Sequence, residues 1–115
     1  MTDLTLYGLK NCDACKKAMK AMEGAGREVA FIDIRAEADL AVKLPAWLDA
    51  VGRDRLVNTR STTWRGLDEA GRAKAEADPS ALLQARPTLI KRPVIEAGGD
   101  IHVGWTRDVQ AALGL

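Results

Sequence analysis

The sequence predicts an α/β domain in the order β-α-β, a helical insertion, then β-β-α. Three observations carry that expectation. Leu4–Tyr7 is a short β-prone run that leads through a loop into apolar residues at helical spacing: Ala14, Cys15, Ala18, Met19, Ala21, Met22 and Ala25. Val29–Ile34 (VAFIDI) is nearly continuous apolar sequence, as in a strand covered on both faces. Near the end of the chain, Val94–Ala97 and Ile101–Val103 flank a glycine turn, and a capped helix follows.

With 115 residues, the chain suits a single domain, 1–115, around one core. Seventeen Lys and Arg against sixteen Asp and Glu leave a formal charge of +1. That balance argues against direct nucleic-acid binding and supplies no charged tail. Met1-Thr2-Asp3 has no basic leader and no apolar run approaches spanning length, so a cytoplasmic protein with no membrane partner is expected. In that compartment a closely spaced cysteine pair stays reduced and more often does chemistry than staples the fold.

In chain order, Gly8 breaks the first strand and Cys12 falls where the first helix begins. A helix start has backbone N–H groups without partners and the positive end of the macrodipole, so it favours an anion. A thiol placed there ionises more readily, and the thiolate is the reactive form. Lys10, Lys16 and Lys17 add positive potential, and Cys15 lies on the same helix face, within reach of the same sulfur. Cys12-x-x-Cys15 therefore reads as a redox site. The alternatives are a zinc site, for which His102 is the one further soft donor, and two small core residues that never react. No metal is expected.

Gly24–Gly26 closes the first helix, and the strand after it completes a right-handed β-α-β unit, the N-terminal half of a thioredoxin-like layer. From about 36 to 88 the pattern is helical. Pro45 is expected in the first turn of a helix ending at Gly52, with Leu56–Asn58 as a turn. Ser61–Thr63 cap a short helix through Trp64, and Glu69–Ala77 reads as a solvated helix. Asp78-Pro79 opens another helix that Pro87 stops. With Gly98–Asp100 as the hairpin loop, Ala97 would face Ile101, Ile95 would face Val103, and Glu96 would lie opposite an exposed His102. Thr106 caps a last helix, Arg107–Leu113, ended by Gly114.

Three segments, YGLKNCDACKKA, VNTRSTTWRGLDE and LIKRPVIEAGGDIHVGWTRD, together resemble the arsenate reductase (ArsC)/Spx family, most of all its YffB-like branch. The resemblance runs from Leu4 to about Leu113, and Leu89–Arg107 is its most specific part. It implies a thioredoxin-like fold with a helical subdomain inserted before the hairpin. The family's redox cysteine falls on Cys12, and its oxyanion- or thiol-site arginines fall on Arg60, Arg92 and Arg107. Arg92-Pro93 falls on the cis-proline before the third strand. Guanidinium forks suit these roles, since they stay charged and bind oxyanions or carboxylates. The chain departs from glutathione-coupled arsenate reductases, which carry a histidine four residues before the cysteine and an arginine four after it. Gly8 and Lys16 occupy those places here.

The expected function is that of a thiol–disulfide oxidoreductase with glutathione as co-substrate and no bound cofactor. Cys12 would attack a disulfide or oxyanion substrate, and Cys15 or glutathione would resolve the product. Lys10, Arg60 and Arg107 would hold glutathione carboxylates, Arg92 would act at the thiol, and Pro93 would present backbone to the peptide. Second comes an Spx-like redox-sensing protein that binds RNA polymerase without turnover, and third an arsenate reductase.

Overall fold

Leu4–Gly8 (β1) is the strand on which the sheet is built. Val29–Asp33 (β2) pairs with it in parallel and Val94–Ala97 (β3) antiparallel, and Asp100–Val103 (β4) adds to β3, giving the order β2-β1-β3-β4. The computed structural model describes residues 4–115, which divide into two compact units. One contains the chain up to Ala38 with Arg92–Leu115, and the other is Asp39–Lys91.

In the first unit, helices Asp13–Gly24 (α1) and Arg107–Ala112 (α7) pack on the sheet. Leu4, Leu6 and Ile95 meet Ala18 and Met22 of α1 and Val109 and Leu113 from the C-terminal segment. Each fully buried side chain of Leu or Met size is worth roughly 1.5–3 kcal/mol over its exposed state. Gly26 (φ 80) ends α1 by letting the Arg27 N–H return to the Met22 carbonyl at 3.0 Å. The Thr106 side chain caps α7 by accepting from the Val109 N–H. With β-α-β and β-β-α halves around a mixed sheet, this is a thioredoxin-like fold.

Two expectations for this unit are corrected. β2 is an edge strand with all five residues half-buried, so its apolar run is not covered on both faces. The hairpin loop is the pair Gly98-Gly99, not Gly98–Asp100. Gly98 takes φ 61, the left-handed position that a two-residue turn needs, and Asp100 joins the strand opposite Ala97. Ile95 then faces a half-buried His102, and Glu96 faces Ile101. Glu96 instead accepts a 3.0 Å hydrogen bond from the Tyr7 hydroxyl across β1 and β3.

The second unit is helical: Leu40–Val51 (α2), Arg53–Leu56 (α3), Thr62–Arg65 (α4), Glu69–Ala77 (α5), Pro79–Ala85 (α6) and a 3₁₀ turn at Pro87–Leu89. Pro45 lies inside α2, not in its first turn. Its side chain and Ala41 are both exposed, so the carbonyl that loses its donor faces water, while Leu44 and Trp47 stay buried on the other side. Leu56 ends a helical turn, and Val57 makes an isolated antiparallel bridge to Ile90. Asn58 N–H to Leu89 O and Lys91 N–H to Leu56 O, both 2.7 Å, carry this unit through Lys91. Ser61, Asp68 and Asp78 cap α4, α5 and α6 through their side chains. Among the described residues, no helix is long and apolar enough to cross a membrane.

Candidate functional site

Cys12 is the residue at which loop becomes helix. Its φ of −91° and ψ of 120° are extended, its N–H donates to Leu9 O at 3.1 Å, and its carbonyl accepts from Lys16 N at 3.0 Å. The sulfur therefore lies beside the open first turn of α1, half-buried. It makes no capping hydrogen bond of ordinary geometry, yet it sits in the field of the Cys15 N–H. Burial alone would push this thiol up. The Cys15 N–H, the Cys15 thiol and the Arg92 guanidinium together outweigh burial and hold Cys12 below the ordinary thiol range.

Cys15 is the opposite case. It is 1 % exposed, one turn into α1, and belongs to the core around Leu6 and Ala18. Burial is the main reason its thiol is pushed up to about 12; the Leu9 backbone opposes the rise, the neighbouring Cys12 sulfur adds to it, and Arg92 opposes it weakly. Cys12 is thus the member of the pair that ionises first, and the still protonated Cys15 can donate to its thiolate. The room for Cys15 comes from Gly8, where any added Cβ would overlap the Cys15 sulfur. Reading Gly8 as a strand breaker missed this, because Gly8 remains in β1 opposite Asp33. Nothing local in the sequence announces a contact of this kind, although a glycine beside a reactive loop is a hint of close approach.

Arg92 is half-buried and precedes Pro93 through a cis peptide bond. The Pro93 carbonyl accepts from Gly104 N–H at 2.8 Å, so a peptide pairing at Pro93 would have to share that acceptor. Gly104 has φ 86 and was not singled out by sequence reasoning. Lys10 is exposed in the loop before Cys12, near enough to Asp33 to help hold that carboxyl low, behind the larger contributions of the Ala36 and Arg35 N–H groups. Arg107 is exposed at the start of α7, and its side chain makes no hydrogen bond or ion pair among the described residues. Arg60 belongs to the second unit, exposed in the turn before α4, where its N–H donates to Asn58 Oδ1 and its carbonyl accepts from Arg65. Of the expected residues, the structure thus gathers Cys12, Cys15 and Arg92. Among the described residues, no cluster of three His, Cys, Asp or Glu side chains could hold a metal ion.

The arrangement can supply a nucleophilic sulfur that ionises below the ordinary thiol range, stabilised by a guanidinium and a protonated thiol. Comparison with known proteins agrees with the fold. The model of the ArsC family matches residues 7–113. An uncharacterized protein of Haemophilus influenzae is 40% identical over 112 residues, covering 95% of this chain and 97% of its own. The global transcriptional regulator Spx of Bacillus subtilis is 25% identical, with 91% of this chain and 82% of its own covered. Among solved structures, the protein described as YffB superposes with a TM-score of 0.85 at 38% identity, covering 95% of this chain and 96% of that one.

Proposed function

The chain belongs to the ArsC family, and from that membership we propose that it is a glutathione-dependent thiol–disulfide oxidoreductase of the cytoplasm, with Cys12 as its nucleophile. The observation that carries this reading is the split between the two thiols, Cys12 held low beside Arg92 and Cys15 pushed up to about 12. In the first step the Cys12 thiolate attacks a disulfide sulfur of a glutathionylated substrate. A Cys12–glutathione disulfide forms, the substrate sulfur–sulfur bond breaks, and the substrate leaves as thiolate and takes up a proton. In the second step a glutathione thiolate attacks the mixed disulfide, releasing oxidised glutathione and regenerating the Cys12 thiolate. Each turn consumes one free glutathione thiol: the substrate sulfur is reduced to a thiol, and the glutathione it carried leaves joined to the attacking one as oxidised glutathione.

Arg92 lowers the energy of Cys12 as thiolate, both before attack and as leaving group in the second step. The protonated Cys15 donates to the same sulfur. Its burial and raised pKa make glutathione the better resolving thiol, because attack requires the thiolate and access to the disulfide. Lys10, exposed beside the loop, is offered as a partner for a glutathione carboxylate, and Arg107 as a second.

Mass spectrometry after incubation with oxidised glutathione tests the reading. One glutathione should add at Cys12 in the wild type and in Cys15→Ser, and none in Cys12→Ser. A protein that takes up no glutathione at Cys12 would refute it.

A second reading rests on the Cys12-x-x-Cys15 pair together with the likeness to Spx. In it, oxidation to a Cys12–Cys15 disulfide changes affinity for a protein partner such as RNA polymerase, without turnover. Pull-down from reduced and oxidised lysate separates the two readings, since only the second expects a partner retained according to redox state.

A further inference from the structure

On the first unit, between α1 and the edge strand β2, lies an open groove of about 560 Å³. Met19, Phe31 and Leu9 form its floor, and Lys10, Lys16 and Lys20 stand along it. Met19 and Phe31 pack on the core yet remain half-exposed, so the floor is apolar surface left facing water. Lys16 and Lys20 are one helical turn apart, about 6 Å along the axis. Neither makes an ion pair among the described residues. Among the described residues Glu23 is the one acidic side chain lining the groove, so three positive charges meet one negative there in a chain whose whole formal charge is +1.

We propose that this groove docks an extended acidic segment of a partner protein, with large apolar side chains alternating with carboxylates. The 6 Å between Lys16 and Lys20 is close to the spacing of residues two apart on one side of an extended chain, about 6.6–6.8 Å. Carboxylates on that side meet the lysines of α1, and the alternate apolar side chains cover Phe31 and Met19. The groove is open along its length, which suits a passing chain; a small ligand would be enclosed over most of its surface. Its concave apolar floor likewise distinguishes it from a basic patch that lies flat on anionic lipid. Lys10, one of the lining residues, is two residues before Cys12 in sequence. The docking does not depend on the reductase reading.

The test uses the full chain and a fluorescein-labelled peptide of alternating Glu with Leu and Phe, followed by anisotropy and by amide NMR shifts. Two control peptides replace Glu by Lys or the apolar residues by Ser. The acidic apolar peptide should bind, weaken as salt rises from about 50 to about 500 mM, and shift amides of α1, Leu9–Lys10 and β2. Lys16→Glu/Lys20→Glu, at two exposed positions that leave the core intact, should weaken it about tenfold or more. Phe31→Ser should weaken it at unchanged salt dependence. Equal binding of either control peptide, shifts confined to other elements, or full affinity in the double lysine variant would overturn the proposal. So would binding to phosphatidylglycerol vesicles, or dimerisation through this face, without peptide binding. Cys12→Ser should keep the peptide while losing glutathionylation, so failure of the docking and failure of the thiol reading are separately visible.

Discussion

Gly8 and Cys15 touch so closely that no side chain of any size fits at position 8 while the Cys15 sulfur stays where it is. This single contact links the strand before the thiol loop to the buried member of the cysteine pair. It also gives a physical reason for glycine, instead of histidine, four residues before Cys12. A chain that packs a second thiol at that point cannot also carry a side chain there.

Gly8→Ala should therefore destabilise the protein by about 1–3 kcal/mol, the usual cost of forcing an extra carbon into a packed core. Cys15→Ala made alone removes a buried sulfur and also costs stability. Combined, the two changes should recover much of the loss, because the alanine at 8 then meets a space where the sulfur was. Denaturant unfolding of the four proteins in a double-mutant cycle measures this coupling, and additive effects would show that the contact is unimportant.

The second prediction concerns alkaline pH. Cys15 is pushed up to about 12, above the 9.0 of an ordinary thiol. Above pH 9 the unfolded chain loses this proton while the folded chain keeps it, so the unfolded state is favoured as pH rises. The contribution of Cys15 is thus intact below pH 9 and is lost between 9 and about 12. Stability of the wild type should fall through this range more steeply than that of Cys15→Ala, measured by urea unfolding at stepped pH. Parallel curves would mean that Cys15 is not protected from ionisation.

Arg92 provides the third prediction. A nearby guanidinium favours the thiolate, so Arg92→Ala should raise the Cys12 pKa and slow glutathionylation severalfold at neutral pH. Raising the pH should restore much of the rate. Arg92→Lys should be intermediate, since it keeps the charge but not the fork. Weaker glutathione binding at every pH with an unmoved pKa would place Arg92 on the peptide instead of on the sulfur.

The particulars show what a sequence can and cannot reveal here. Cys12 at a helix start was legible, because the apolar spacing from Ala14 onward and the break at Gly8 bracket it within a few residues. The caps at Ser61, Asp78 and Thr106 were legible for the same local reason. The hairpin register was not. Gly98-Gly99-Asp100 permits a loop of two or three residues, and that one-residue choice re-pairs every side chain, moving His102 from Glu96 to Ile95. Nor could VAFIDI reveal that β2 is at the edge, because its place follows from β3 taking the other side of β1. Pro45 was misplaced because its tolerance depends on which face of α2 is wet. The Gly8–Cys15 contact crosses a loop and a turn of helix, beyond the reach of any local pattern.

The central claim, that Cys15 and Arg92 hold the Cys12 thiol below the ordinary range, has one direct measurement. It is the rate of alkylation of the wild-type protein by iodoacetamide against pH, with the modified residue located by peptide mapping. This account predicts a Cys12 midpoint below the 9.0 of an ordinary thiol and no labelling of Cys15 across the same range. A Cys12 midpoint at or above that of free cysteine, or Cys15 labelled first, would contradict it.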